Sequence, residues 1–161
     1  STYIKPHISR DIEEASEKAD IILVSFHWGK ENTYYPNQTQ VSLGRFAIDQ
    51  GADIVVGHHP HVMQGIEKYK EKYIVYSLGN FCFGGNRNPK DKDTFIFQSQ
   101  FTIIDKQIVK NQGKIIPCSI SSSKHRNNYQ PTVLQGDDKK RVLDRIYKYS
   151  NTLEYGIDDS F

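Results

Sequence analysis

The feature that most constrains this chain is a pair of short apolar runs, each ending on histidine. Residues 20–26 read Asp-Ile-Ile-Leu-Val-Ser-Phe and lead into His27-Trp28-Gly29, and residues 53–56 read Asp-Ile-Val-Val and lead into Gly57-His58-His59-Pro60-His61. A run of this kind, without polar alternation, is the pattern of a strand covered on both faces in a mainly parallel sheet. Between the runs, residues 38–50 place Val41, Phe46, Ala47 and Ile48 at helix-compatible spacing. Gly51 is positioned to close that helix as the first residue beyond its cap. Strand, helix and strand make a β-α-β unit, which puts both histidine clusters at the carboxyl ends of neighbouring strands. Residues 73–78 read as a third strand, and Gly79-Asn80-Phe81 turns at its end, where α/β sheets gather their ligand-binding loops.

Ser9 is expected to cap a helix running to about Lys18, with Ile12 and Ala15 on one face and acidic residues in and beyond its first turn. Residues 94–104 and 107–116 read as two long strands joined at Asp105-Lys106, an antiparallel hairpin on the margin of the sheet. A glycine-, asparagine- and lysine-rich loop over 84–93 separates that hairpin from the histidine loops, and 121–138 is polar and irregular. Asp137 or Asp138 starts a last helix to about Ser150, with Val142, Leu143, Ile146 and Tyr149 facing inward. The triplet Lys68, Lys70 and Lys72 reads as a solvated face.

A length of 161 residues suits one domain, 1–161, with a real core. The formal charge of +2 comes from 21 basic and 19 acidic residues scattered along the chain. That distribution leaves no electrostatic footprint for nucleic acid. Cys82 and Cys118 lie far apart with no C-x-x-C spacing, so no zinc knuckle or thioredoxin-like site is indicated. The opening residues lack the basic start and apolar core of a signal peptide, and any export signal is expected upstream of them.

The chemistry concentrates in the histidines. Neutral imidazole nitrogens bind divalent transition metals, and alternate residues of an extended turn, His59 and His61, can aim two rings at one place. His27 from the neighbouring strand can converge there, whereas His58 is the weakest ligand of its loop because its ring can point away. Lone histidines such as His7 and His125 read as surface or hydrogen-bonded residues. Glu31 is the nearest acid to His27, suited either to orienting a histidine, to contacting substrate or to plain solvation. Gly29 and Gly57 would permit tight backbone geometry and close approach of a ligand.

These residues resemble a family. His27-Trp28-Gly29-Lys30-Glu31, the stretch from Gly51 through Val62, Gln64-Gly65 and Tyr76-Ser77-Leu78-Gly79-Asn80-Phe81 are similar to the bacterial capsule-synthesis CapA family, linked to poly-γ-glutamate. The resemblance runs from about Ile21 to Phe83, more loosely to Ser150, and implies a calcineurin-like metallophosphoesterase fold. That fold is an α/β αββα sandwich, represented here by its C-terminal portion: a mixed sheet with a C-terminal hairpin and helix. The earlier acidic metal-binding motifs of the family have no counterpart, which implies that an N-terminal part of the same domain lies outside this sequence. Asn32 stands where the family commonly has tyrosine, with Tyr34 and Tyr35 slightly later.

The resemblance maps metal ligation onto His27, His59 and His61. The cofactor it implies is a pair of divalent ions, with manganese, zinc or iron as the candidates. His58, Glu31 and Asn80 are the candidate catalytic groups, and Trp28, Gln64 and Tyr34 the candidate substrate-binding ones. Implied partners are the missing N-terminal part, poly-γ-glutamate or another anionic polymer, and the membrane subunits of a polymer synthase. The implied setting is extracytoplasmic, with a membrane anchor in the full-length protein. Two rival readings are a non-catalytic polymer- or synthase-binding scaffold and a phosphoesterase acting on a small phosphoester.

Overall fold

A computed structural model of the chain describes residues 3–161. Helix α1 (Lys5–Ser16) starts earlier than a Ser9 cap would allow. Pro6 sits in its first turn, where a missing N–H is no loss and a fixed φ favours the helix. Ser9 is therefore interior, its hydroxyl donating to the Lys5 carbonyl at 3.2 Å.

Strand β1 (Leu23–His27), helix α2 (Gln38–Asp49) and strand β2 (Ile54–His58) form the expected parallel β-α-β unit. Asn37 caps α2 in a reciprocal box: its side chain accepts from the Gln40 N–H at 3.0 Å, and the Gln40 side chain accepts from the Asn37 N–H at 3.1 Å. Gly51, at φ +116, follows the last turn in a conformation that suits glycine. Strands β3 (Ile66–Tyr69) and β4 (Lys72–Val75) form a hairpin through Lys70 and Glu71, both at positive φ. β4 runs parallel to β2, so the sheet is mixed, in the order β1-β2-β4-β3.

β3 is a correction to the reading of residues 68–72 as a plain solvated face. It is held as a strand because the carboxylate of Glu67, wholly buried, is bound by Arg45 and by the Tyr76 hydroxyl. The backbone of 155–157 then runs along the outer side of β3, with Lys68 N–H on the Tyr155 carbonyl and Ile157 N–H on the Ile66 carbonyl.

The long hairpin is present as β5 (Asp93–Ile104) and β6 (Gln107–Ser119), turning through Asp105 and Lys106. It does not extend the first sheet. With the short β7 (Thr132–Val133) it makes a separate sheet, β5-β6-β7. Helix α3 (Gly136–Ser150) buries Val142, Ile146 and Tyr149, while Leu143 is only partly buried.

Alternation along the first sheet decides the layering. Val55, Ile74 and Tyr76 point to one side and pack with Ile8, Ile12, Leu43 and Ala47 of α1 and α2. Ile54, Tyr73 and Val75 point to the other and pack with Phe95, Ile115, Val142 and Ile146 of the second sheet and α3. The expectation that β1 is covered on both faces fails. β1 stands at the sheet edge, and the residues paired with Ile54, Val56 and His58, namely Leu23, Ser25 and His27, are all exposed. Leu23 is 58% exposed, because the second sheet does not reach across to it. No helix among the described residues is long and apolar enough to cross a membrane.

Candidate metal centre

The parallel register sets His27 directly beside His58 at the carboxyl ends of β1 and β2. The chain then makes a tight loop in which His59 (φ +97) and His61 (φ +59) both adopt left-handed backbone conformations around the buried Pro60. The turn is thus not extended. Each such non-glycine residue costs about 1–3 kcal/mol and persists only where its surroundings impose it. The surroundings here are specific: the Pro60 carbonyl accepts from the Asn32 N–H at 2.8 Å, and the His58 carbonyl accepts from the Trp28 N–H at 3.1 Å. Those two bonds tie the loop after β1 to the loop after β2 and carry Glu31 to the histidines.

The outcome is a cluster in which one ligating atom each from Glu31, His59 and His61 lies within 4.8 Å of the others. His27 is not a member of that trio, but its ring stands beside His59 with centroids 4.7 Å apart. His58 is exposed and also outside it. The structure therefore assembles the nearest acid with two of the three histidines assigned to the metal, and leaves the third alongside.

Asn80 explains why His61 can serve as a ligand. Its amide nitrogen donates to the His61 carbonyl at 3.2 Å, so its oxygen is the atom that meets His61 Nδ1, at 2.7 Å. Nδ1 must then carry the proton, and Nε2 keeps its lone pair for a cation. Two imidazoles and a carboxylate are a donor set that suits zinc, manganese or iron, and these residues fit such an ion.

The cluster opens into a cleft of about 670 Å³ whose walls include Tyr34, His61, Asn80, Phe83 and Asp91. Phe83 lies against His61 with centroids 4.8 Å apart. Tyr34 stacks on Tyr149 of α3 at 5.5 Å, and the Arg145 guanidinium sits over the Tyr34 ring at 5.6 Å. Arg145 also binds Asp91, with Nη1 to Oδ1 at 3.1 Å. Burial pushes the Tyr34 phenol up, and the nearby Asp91 carboxylate adds to it. Burial works against the Asp91 carboxylate, but Arg145 and the Asp93 N–H outweigh it and hold the group below its ordinary range. Asp91 and Arg145 carry no motif and lie in segments read as loop and packing helix, so nothing in the sequence singles them out.

Two residues assigned to substrate binding are placed elsewhere. Trp28 is buried, donates its indole N–H to the Tyr76 carbonyl at 2.9 Å and stacks on Phe26. Gln64 has no exposed surface and spends its amide on Gln40 and on the Thr33 carbonyl, supporting the Glu31 loop from beneath. Gly57 and Gly29 likewise make room for protein, not ligand: a Cβ on Gly57 would lie 2.0 Å from the Tyr76 carbonyl oxygen, and one on Gly29 would strike Gln40.

The family profile of the bacterial capsule synthesis protein PGA_cap matches residues 2–85, which contain every member of the histidine–glutamate cluster. The chain belongs to this family. The mixed α/β architecture described above agrees with the metallophosphoesterase-like fold of PGA_cap proteins. Relatives include the PGA biosynthesis protein CapA of Bacillus subtilis (strain 168), 54% identical over 72 residues that make up 45% of this chain and 19% of the relative. The capsule biosynthesis protein CapA of Bacillus anthracis is 46% identical over 76 residues, 47% of this chain and 18% of the relative. A probable polyglutamine synthesis accessory protein of Mycobacterium tuberculosis is 39% identical over 61 residues, 38% of this chain and 16% of that protein. The chain thus spans about a fifth of the length of the curated relatives it matches.

Proposed function

We propose that this chain supplies the histidine half of a metal centre in a capsule or poly-γ-glutamate biosynthesis protein, acting on an anionic substrate in the His61 cleft. The observation that carries the reading is the convergence of Glu31, His59 and His61 within 4.8 Å at the mouth of that cleft. The biosynthetic setting is supported by the similarity to PGA and capsule biosynthesis proteins of two Bacillus species. A divalent ion held there would polarise the scissile group and make a bound water nucleophilic near neutral pH. The protein's own contributions are separable. Glu31, His59 and His61 hold the ion, Asn80 fixes the His61 tautomer, His27 stands ready as a further ligand, and Tyr34 and Asp91 wall the substrate.

A two-ion site needs more carboxylate than Glu31 alone provides. We therefore propose that residues 1–161 share their domain with an upstream segment that completes the site and covers β1. The exposure of Leu23, in a register where its neighbours Ile54 of β2 and Tyr73 of β4 are buried, supports this. In this reading the longer protein is anchored and works outside the cytoplasm, beside the membrane subunits of a polymer synthase.

The single carboxylate of the cluster also favours a second reading, a polymer-binding scaffold without turnover. Hydrolysis assays of the longer protein with phosphoester and γ-glutamyl substrates decide between them. Turnover that requires added metal and vanishes in His61→Ala supports the hydrolase. Intact polymer binding with no turnover on either substrate selects the scaffold.

A further inference from the structure

A second cleft, of about 430 Å³, adjoins the first and shares Lys90 and Asp91 with it. Its walls carry five basic residues against three acidic ones, a formal excess of two positive charges, together with the hydroxyl-bearing Ser121, Ser122 and Ser123. The charges are not equally committed. Arg141 and Arg145 are bound to the buried Asp93, and Arg145 to Asp91 as well. These four groups form a neutral girder joining α3 to the start of β5.

The lysines differ. Lys92 Nζ donates to the Lys124 carbonyl at 3.1 Å, a contact that leaves its charge uncompensated. Lys124 faces Asp138 at 3.3 Å with its own side chain 86% exposed. Lys90, on the ridge between the clefts, has no ion-pair partner among the described residues. An ammonium on a flexible stem is a hydrated point charge that accepts a passing anion without demanding a fixed geometry. The Ser121 and Ser122 hydroxyls already donate to neighbouring protein oxygens, which leaves that of Ser123 to donate to the same anion.

We infer that the Lys90–Lys92–Lys124 cleft is an anion subsite that receives a carboxylate of an acidic polymer whose neighbouring unit occupies the metal cleft. The polymeric character of the ligand comes from continuity: a single small anion fills one cleft, whereas a chain crossing the Lys90 ridge fills both. The inference rests on the anionic-substrate reading given above, but it concerns different residues. Lys92 and Lys124 line only the second cleft.

The test is a binding titration of the chain with γ-linked glutamate oligomers, with inorganic phosphate in parallel, at two ionic strengths. Lys92→Ala/Lys124→Ala should weaken oligomer binding roughly tenfold, by the loss of two solvent-screened charges. Metal binding in that variant should stay as in the parent. Binding in the parent should also fall with added salt. Lys90→Glu, a surface change with little consequence for folding, should weaken the oligomer further by repulsion. Oligomer binding that is unchanged in both variants overturns the subsite and leaves the metal reading intact. Phosphate binding as tightly as the oligomer overturns the polymer assignment. Conversely, His59→Ala/His61→Ala should remove metal binding while the salt-sensitive oligomer interaction persists, which separates failure of one reading from failure of the other.

Discussion

At the scale of single residues, the chain is governed by a few positions where only one side chain is compatible with its neighbours. Gly57 is the sharpest. The indole of Trp28 crosses β2 at this point to reach the Tyr76 carbonyl, so a Cβ would meet that oxygen at 2.0 Å and Trp28 Nε1 at 2.3 Å. Gly57→Ala should therefore cost about 3 kcal/mol, the upper range for overpacking a tight interior. Urea unfolding would show it as a fall in midpoint, and a change under about 0.5 kcal/mol, the usual range for a neutral surface substitution, would contradict the packing described here. Asn80 acts on function in a different way. Removing it frees the His61 ring to rotate and to exchange tautomers, so Asn80→Ala should weaken metal binding about 10–100-fold, the usual penalty for losing a group that orients a ligand. Competition with a metal-sensitive dye reads this directly, and unaltered affinity would mean that His61 is not a ligand.

Among the elements, those written in periodicity or in an uninterrupted apolar run were legible from sequence: β1, β2, α2, β4, the β5–β6 hairpin and α3. Their ends were not always so. The start of α1 depended on Pro6 serving as a first-turn residue, which a serine-based reading of Ser9 displaced. Strand β3 was hidden because Ile-Glu-Lys-Tyr looks solvated. Glu67 is tolerated in the interior only because Arg45, 22 positions earlier, and Tyr76 meet it there. Burial, together with the adjacent Glu67 carboxylate, pushes the Tyr76 phenol far above its ordinary value, so it remains a donor at all ordinary pH. Glu67→Ala would leave the Arg45 charge and the Tyr76 hydroxyl without their shared acceptor, at a cost of about 3 kcal/mol. Because the same carboxylate accepts from the Tyr155 N–H, hydrogen exchange should report early opening of 155–157 in that variant. Full protection of those amides would show that the network does not hold the tail. The exposure of β1 was illegible for another reason: an apolar run records that a strand is to be covered, not which segment covers it.

For the molecule as a whole, the two loops that end β1 and β2 are where folding and chemistry meet. His59 and His61 could be picked out in advance because adjacent strand ends, alternate spacing and a resemblance to capsule-synthesis proteins all pointed to them. Glu31 was visible only as the nearest acid, and the hydrogen bond from Asn32 to Pro60 is what delivers it to the cluster. The walls of the cleft drew on Asp91, far along the chain, which is held by Arg145 in a pairing that depends on how α3 crosses the start of the second sheet. The central claim is that Glu31, His59 and His61 together hold a divalent ion. It is tested most directly by calorimetric titration of the chain with zinc and manganese, comparing the parent with Glu31→Gln, His59→Ala and His61→Ala. One weak, saturable site is expected in the parent, abolished by each histidine substitution and weakened by Glu31→Gln. Uptake that is unchanged by the loss of either histidine, or tight binding of two ions by this chain alone, would contradict it.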